Sequence, residues 1–405
     1  MFANTIANTL EKKIAELGLP LAIDLWNEKK VLGKSPIIVT LKIPSPSMLS
    51  ILVNPSLGKL AENYVEGYVD FQGRISDVIK LMAPLISLPD SAQRKSRLQK
   101  LKFWRHTRQA DRKAITSHYD VSNEFYALWL DQRRVYSCAY FKNDGDSLET
   151  AQAQKLDHIC RKLMLKPGER FLDIGCGWGG LIFWAAENYG VSSLGITISQ
   201  NQFDYVTEYV RSHGLTGKVE VRLMDYRDLP DSEPFDKIAS VGMFEHVGVR
   251  NLPVYFRKIN QLLKPGGLVM NHGITSVTFD DQTMDEENRR FIDKYVFPDG
   301  ELTHISKVLE IMSREGLECC DVENLRIHYA KTLWHWVDRL EAHQDKALEL
   351  VGEKKYRIWR VYMAGFAVAF ERNWDALHQV LAGKPHDNGQ PAYPLTRDYM
   401  YSRSP

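Results

Sequence analysis

Residues 171–180 read FLDIGCGWGG, an apolar strand-like run that passes directly into four glycines within six positions. No other stretch constrains the fold as strongly. Without Cβ atoms the backbone can turn tightly and approach a ligand closely, where larger side chains would fill the ligand's space. The loop satisfies two patterns at once. Gly175, Gly177 and Gly180 form the G-x-G-x-x-G of dinucleotide sheets, while Asp173, Gly175, Gly177 and Gly179 form the D-x-G-x-G-x-G usual for S-adenosylmethionine. The loop alone does not choose between them.

From about residue 150 the chain alternates strand and helix, the rhythm of a parallel sheet with crossover helices. Strands are expected at RFLDIG (170–175), SSLGIT (192–197), VEVRLMD (219–225), FDKIASV (235–241) and GLVMNHGI (267–274). Helical periodicity dominates from Asp280 to Tyr329 and again from Thr332 to Leu381, with LTHISKVLEIMSREG the clearest case. These segments are expected to form a helical lid over the sheet's carboxyl edge, where open α/β sheets bind ligands.

A nicotinamide site wants an acidic residue about 20 positions after the loop, at the end of the second strand. Here that strand ends in Thr197, followed by ISQNQ. Adenosylmethionine sheets often carry an acid there too, although Thr197 and Gln202 can supply polar contacts instead. The remaining marks favour the methyl donor. Asp173 precedes the loop, Asp225 closes the third strand where an adenine amino group can be met, and FDKIASV followed by LLKPGGLV supplies the fourth strand and the turn into the fifth. The expected fold class is α/β: a Rossmann-like class I methyltransferase sheet with a helical lid, plus a small α+β amino-terminal domain.

At 405 residues and 44% hydrophobic content the chain can bury a sizeable core and has room for more than the glycine-loop domain. Its 52 basic and 51 acidic residues leave a net charge of +1, so no global field argues for nucleic acid or strongly anionic partners. Five cysteines (Cys138, Cys160, Cys176, Cys319, Cys320) form no C-x-x-C pair, and the start MFANTIANTLEKKIAEL lacks the apolar core of a signal peptide. A reducing cytoplasm is the expected location. The apolar stretch VYMAGFAVAF (361–370) is far short of the roughly 20 residues that cross a bilayer, and reads as a buried helix.

Residues 1–90 carry their own punctuation: a helix with Phe2, Ile6, Leu10, Ile14 and Leu17 at helical spacing, a strand-like IIVTLKI (37–43), then helical NPSLGKLAENYVEGYVDF (54–71). The expected organisation is a small lipid-associated domain over 1–90, a basic linker over 91–114 and a catalytic domain over 115–405. The linker, SAQRKSRLQKLKFWRHTRQADRKA, holds nine Lys and Arg against one Asp, with Phe103 and Trp104 in its middle. A solvated linker explains such a run as well as a surface for anionic lipid, where each basic residue contributes on the order of 1 kcal/mol and aromatics favour the interface. Nothing else in the chain resembles a base-reading module, so nucleic acid is not expected as a partner.

Several side chains with chemical capacity fall at the sheet's expected functional edge: Glu245 and His246 after the fourth strand, His272 near the end of the fifth, and Cys138 in VYSCAYF ahead of the sheet. Singly, each also reads as packing: Cys138 as a small buried hydrophobe, His272 as a core histidine, Glu245 as a helix-start carboxylate. Taken in order and spacing, SHYDVSNEFYALWLD, YSCAYF, LDIGCGWGG, GITISQNQ, MFEHVG, LLKPGG and HYAKTL resemble the cyclopropane fatty acid synthases, including the mycolic acid cyclopropane synthases. The resemblance covers roughly residues 35–380, and NPSLGKLAENYVEGYVDF is similar to a segment of the amino-terminal domain in the bacterial members.

The resemblance implies transfer of a methyl from S-adenosylmethionine to a cis double bond of a phospholipid acyl chain, followed by closure of a three-membered ring. It further implies a bound bicarbonate acting as base, held by Cys138, Glu245, His272, the backbone at Ile274, and Tyr329. Tyr136, Ser137, the glycine loop, Thr197 to Gln202, and Asp225 with Tyr226 would hold the methyl donor. An alkene has no proton to lose before it attacks the sulfonium methyl, so the first step needs no base. Ring closure does require a proton to leave the added methyl group, and a small anion held by hydrogen-bond donors can stabilise the cation and accept that proton. Aromatic faces such as Tyr329 or Phe279 can add cation stabilisation.

Two positions depart from the family. A late C-A-G-A-F stretch of bacterial members reads Phe366-Ala-Val-Ala-Phe here, so no cysteine acts at that point, and the tail PAYPLTRDYMYSRSP shows no closing strand. The runner-up reading keeps fold and cofactor but ends in a methyl-branched or methylene fatty acid; a non-catalytic lipid-binding protein on the same fold is disfavoured by the intact cofactor and anion positions. The expected setting is peripheral, on the cytoplasmic face of the inner membrane, with unsaturated phospholipid as partner and a homodimer allowed. Charge reversal of Arg97, Lys100, Lys102 and Arg105 should reduce activity on anionic vesicles far more than binding of S-adenosylmethionine, and raised salt should imitate it. Vesicle co-sedimentation indifferent to both treatments would leave the segment a linker only.

Overall fold

The computed structural model describes residues 8–9, 11–12, 14–26, 30–48, 56–82, 121–279, 286–296 and 301–401. Phe2, Ile6, Leu10 and the whole basic segment 91–114 lie outside the described residues. The chain divides into two compact units. One gathers Met1–Lys100, Met284–Pro298 and Trp336–Val368; the other gathers Leu101–Thr283, Asp299–His335 and Ala369–Pro405.

The first unit contains a four-stranded sheet of β1 (Leu21–Leu25), β2 (Lys30–Leu32), β3 (Val39–Ile43) and β4 (Asp70–Gln72), in the order β2-β1-β3-β4. β3 alternates buried and half-buried residues, the mark of a strand with one face on a core. Ser56 caps the helix Leu57–Val65 by accepting from Lys59 N. That helix delivers Tyr64 onto Phe71 of β4, with ring centroids 4.5 Å apart. Arg360 is buried and fully used: it pairs with Glu341 at 2.5 Å and donates to the Tyr64 hydroxyl and the Gly73 carbonyl, each at 2.9 Å. A buried guanidinium needs such a set of acceptors to offset its lost hydration.

The second unit is built on seven strands: β5 (Arg170–Ile174), β6 (Ser192–Thr197), β7 (Val219–Leu223), β8 (Phe235–Val241), β9 (Leu263–Ser276), β10 (Glu318–Asn324) and β11 (Asp375–Gly383). Their order is β10-β11-β9-β8-β5-β6-β7. β7, β6, β5, β8 and β9 are mutually parallel, and β11 runs antiparallel between β9 and β10. Successive strand residues serve opposite faces: Leu172, Ile174, Ile238 and Val269 pack with Tyr255, Phe256 and Ile259, whereas Phe171, Ala239 and Met270 pack with Leu156, Ile159 and Ile182. The chain order reverses between β5 and β8, which places a crevice at their carboxyl ends.

Two segments read as helix are strands. Most of β11, up to Leu381, falls in the stretch Thr332–Leu381 assigned helical periodicity, and β10 lies inside Asp280–Tyr329. Flanked on both sides, β11 is buried at eight of nine positions, so it lacks the alternation that distinguishes a strand from a buried helix. β10, an edge strand rich in charge, carries too little apolar pattern to be read either way. β11 is also the closing strand thought to be missing; it precedes the tail. The tail is pinned instead to β10 and to the helix Leu148–Lys162, through Arg397 to Asp321 at 2.8 Å and Arg161 to the Tyr401 carbonyl at 3.0 Å. No helix among the described residues is long and apolar enough to cross a membrane. Phe256, fully buried against the sheet, should cost about 3–5 kcal/mol when replaced by Ala; urea unfolding followed by circular dichroism measures the loss.

Candidate active site

β5 ends at Ile174, and the chain leaves it through Gly175, Gly177 and Gly179 at φ of 81°, 55° and 84°, a region that L side chains enter only under strain. The Ile196 carbonyl at the end of β6 accepts from both Gly175 N and Cys176 N at 3.0 Å, which folds the loop back over the sheet edge. A Cβ on Gly179 would meet Phe183 at 2.6 Å. The space in front of the loop is one cavity lined by Tyr136, Ser137, Asp173, Gly175, Gly177, Thr197, Gln202, Asp225 and Tyr226. Gly179 supports this wall from the head of the helix Gly180–Tyr189 without lining it.

Charge in the cavity is muted. Asp173 is buried, and burial pushes its carboxyl up to about 7 while the nearby Lys155 ammonium opposes that rise. Lys155, equally buried, is brought down to about 8 by desolvation, with Asp131 and Asp173 opposing. Its Nζ donates to Ser137 Oγ at 3.0 Å, while Asp173 Oδ1 is buried without a protein partner. Asp225 caps the turn Tyr226–Asp228 and is ion-paired to Arg227 at 2.6 Å, so its carboxylate is already neutralised. Thr197 Oγ1 donates to Gln202 Oε1 at 2.8 Å, and no acid stands at the end of β6. A cationic donor with an amino-acid moiety fits this wall: an orphaned buried carboxyl oxygen, close-approach glycines, and several neutral polar groups.

Residues 131–138 reach the cavity through a turn organised by Asp131, whose carboxylate accepts from Val135 N at 2.8 Å and Arg133 N at 3.0 Å. Gln152 then fixes Tyr136–Ser137 by donating to the Ser137 carbonyl at 2.8 Å. Lys155 and Gln152 sit on the helix Leu148–Lys162, which precedes β5 and whose sequence looks like any amphipathic helix. The reading of the sequence missed both, because a lysine facing inward leaves no mark in periodicity.

The expected anion residues do not line that cavity: His272, Ile274 and Glu245 lie at the carboxyl end of β9, while Cys138 and Tyr329 are connected to that end through Leu325. β8 ends at Val241, and Gly242 N donates to the His272 carbonyl at 2.8 Å. Beyond that point the edge of β9 is met by Glu245, whose Oε1 accepts from Ile274 N at 2.7 Å. The Ile274 amide is therefore engaged by Glu245. Cys138 Sγ lies 3.8 Å from the Leu325 carbonyl, Leu325 N donates to the Leu377 carbonyl at 2.8 Å, and Leu377 pairs with Ile274. Tyr329 stands one turn into the helix Arg326–Ala342, its ring 4.8 Å from Phe370. The two groups touch through chain neighbours: Ser137 with Cys138, and His246 with Glu245. Phe279, named as a cation-facing aromatic, is 80% exposed, whereas Tyr329 is 8% exposed.

Burial dominates the chemistry of this second group. It raises the Cys138 thiol, so the sulfur is a neutral, non-nucleophilic S–H. It holds the His272 imidazole neutral, with Lys155 and Lys162 adding to the effect. Glu245 is pushed up to about 7 by desolvation, against the hydrogen bond from Ile274 N. Near neutral pH, then, roughly half of the Glu245 carboxyls carry a proton and can donate a hydrogen bond. Among the described residues, Glu245 Oε2, His272 Nε2 and Gln379 Oε1 are all buried with no protein partner, an arrangement that calls for a small polar guest. Since the folded state binds the Glu245 proton more tightly than the unfolded chain, the stability linked to this group is full below 4.5 and falls as pH rises through 7. Glu245→Gln should raise the melting temperature at about pH 8 but not at about pH 5; an equal shift at both would refute the burial argument.

Residues 106–380 match the family described as mycolic acid cyclopropane synthetase. A probable fatty acid methyltransferase of Pseudomonas putida is 45% identical over 396 residues, 97% of this chain and 99% of that protein. The cyclopropane-fatty-acyl-phospholipid synthase of Escherichia coli (strain K12) is 41% identical over 272 residues, 67% of this chain and 68% of that one. The crystal structure of mycolic acid cyclopropane synthase CmaA1 complexed with SAH and CTAB aligns at a TM-score of 0.64 and 33% identity, over 67% of this chain and 98% of CmaA1. With the family's pattern spanning well over half its length and the glycine-loop cavity at the expected sheet edge, the chain belongs to the mycolic acid cyclopropane synthetase family and is an S-adenosylmethionine-dependent methyltransferase.

Proposed function

We propose that the enzyme converts the cis double bond of an unsaturated phospholipid acyl chain into a cyclopropane ring, with a bicarbonate ion held by Glu245, His272, Cys138 and Tyr329, the Ile274 amide orienting Glu245 rather than meeting the ion. The observation that carries this reading is the second polar group beside the cofactor cavity, with its three buried partnerless atoms. A methyl transfer to oxygen or nitrogen needs little beyond a positioned acceptor; a reaction that must also remove a proton from carbon needs a placed base. S-adenosylmethionine supplies the methyl group when bound, and bicarbonate the proton acceptor.

The chain's own residues do the rest. Tyr136, Ser137, Asp173 and the glycine loop bind and orient the donor, with Thr197, Gln202, Asp225 and Tyr226 closing the far side. Protonated Glu245 offers hydrogen to an anion, the Cys138 thiol being held by the Ala139 and Leu325 carbonyls, and the dry wall around His272 strengthens that bond. The Tyr329 ring, buried against Phe370, presents an aromatic surface for cationic charge. The basic segment 91–114 is proposed to hold the enzyme on an anionic bilayer surface on the cytoplasmic side, where its substrate lies.

Mass spectrometry of phospholipid acyl chains from expressing cells should show a gain of one CH2, and fragmentation should show a ring. A branched or methylene product would sink ring formation. His272→Ala and Tyr329→Phe should bind S-adenosylmethionine normally yet lose about 10² or more in turnover. Wild type stripped of carbon dioxide should slow, and recover on adding bicarbonate; indifference to bicarbonate would remove the anion from the reading.

A further inference from the structure

His272 is 1% exposed and, being neutral, carries its proton on one ring nitrogen only. Which nitrogen decides what the ring can offer. Directly opposite it in the β9–β11 register stands Gln379, wholly buried. Gln379 Nε2 lies 3.2 Å from His272 Nδ1. An amide nitrogen donates and does not accept, so with Gln379 Nε2 on this side the assigned role of Nδ1 is acceptor and the proton of the neutral ring belongs to Nε2. That Nε2–H is one of the buried polar groups without a protein partner. On the other side of Gln379 the register brings Glu323, whose carboxylate is occupied by His158 at 2.8 Å and Lys162 at 2.6 Å.

We propose that Gln379 is a positioning residue: by donating to Nδ1 it fixes His272 as the Nε2–H tautomer and makes it a hydrogen-bond donor toward an anion, not a base. This rests on the anion reading above and assigns proton removal to the anion alone. The opposite tautomer would aim a lone pair at the anion and repel it. The same arrangement, in which an outer partner sets the tautomer of a functional histidine, tunes metal sites by about 10–100-fold.

The test is 15N NMR of the full-length protein labelled at histidine, with the His272 signals assigned by their loss in His272→Asn. Wild type should show a pyridine-type Nδ1 and a pyrrole-type Nε2. Gln379→Glu keeps the shape and, read above about pH 8 where its carboxyl is ionised, replaces the donor by an acceptor, so a proton should then sit on Nδ1. Turnover should fall about tenfold or more, with S-adenosylmethionine affinity and the KM for phospholipid unchanged. A wild-type proton on Nδ1, or a Gln379→Glu enzyme that keeps it on Nε2, overturns the proposal. Should that variant fail to fold, the wild-type spectrum still decides. The spectrum needs no bicarbonate: an Nε2–H tautomer in an enzyme indifferent to bicarbonate would leave the tautomer assignment standing and the anion reading fallen.

Discussion

The antiparallel pairing of β11 with β9 holds together what separates this site from a plain cofactor-binding sheet. It runs unbroken from Asp375 opposite Ser276 to Gly383 opposite Leu268. Through it Gln379 is set against His272. Through the Leu377 carbonyl, it also anchors Leu325 and so the start of the helix that carries Tyr329. A one-residue slip would send His272 and Gln379 to opposite faces, because strand side chains alternate. The hydrogen-bond ladder therefore sets the chemistry as much as it sets stability.

A second constraint is dryness. Asp173, Glu245, Cys138 and His272 are buried, and each is shifted toward its neutral form. Glu323 behaves oppositely: burial alone would raise it, but the hydrogen bond from His158 and the charge of Lys162 hold it down to about 2. The Glu323 carboxylate thus joins Lys162 in a buried ion pair near the tail, whereas Lys155 and the Asp225–Arg227 pair are charged groups of the glycine-loop cavity. Beside a cationic methyl donor, buried groups shifted toward neutrality present oriented dipoles, which act without the reorganisation that mobile charges would require.

The glycine loop was legible because it demands backbone conformations that only glycine enters cheaply, so Gly175, Gly177 and Gly179 announce themselves. The strands β5, β6 and β8 were legible for a related reason: apolar runs in a parallel sheet end abruptly at turns. β11 was not. Its burial on both faces erases the alternation that marks a strand, and its pairing partner lies about a hundred residues upstream. Gln379 was invisible with it. Lys155 and Gln152 were hidden by their helix, since which way a polar residue faces depends on what packs against it.

By itself the sequence determined the βα core, the place of the glycine loop and, through several motifs in order, the family. Those features are local: they depend on backbone sterics and on residues close together along the chain. Only the tertiary structure decided that Asp225 is neutralised by Arg227, that Ile274 N is engaged by Glu245, and that Gln379 faces Nδ1 of His272. Protonation, tautomer and hydrogen-bond partner are set by desolvation and by neighbours far apart in sequence, and a linear chain states neither until it has folded.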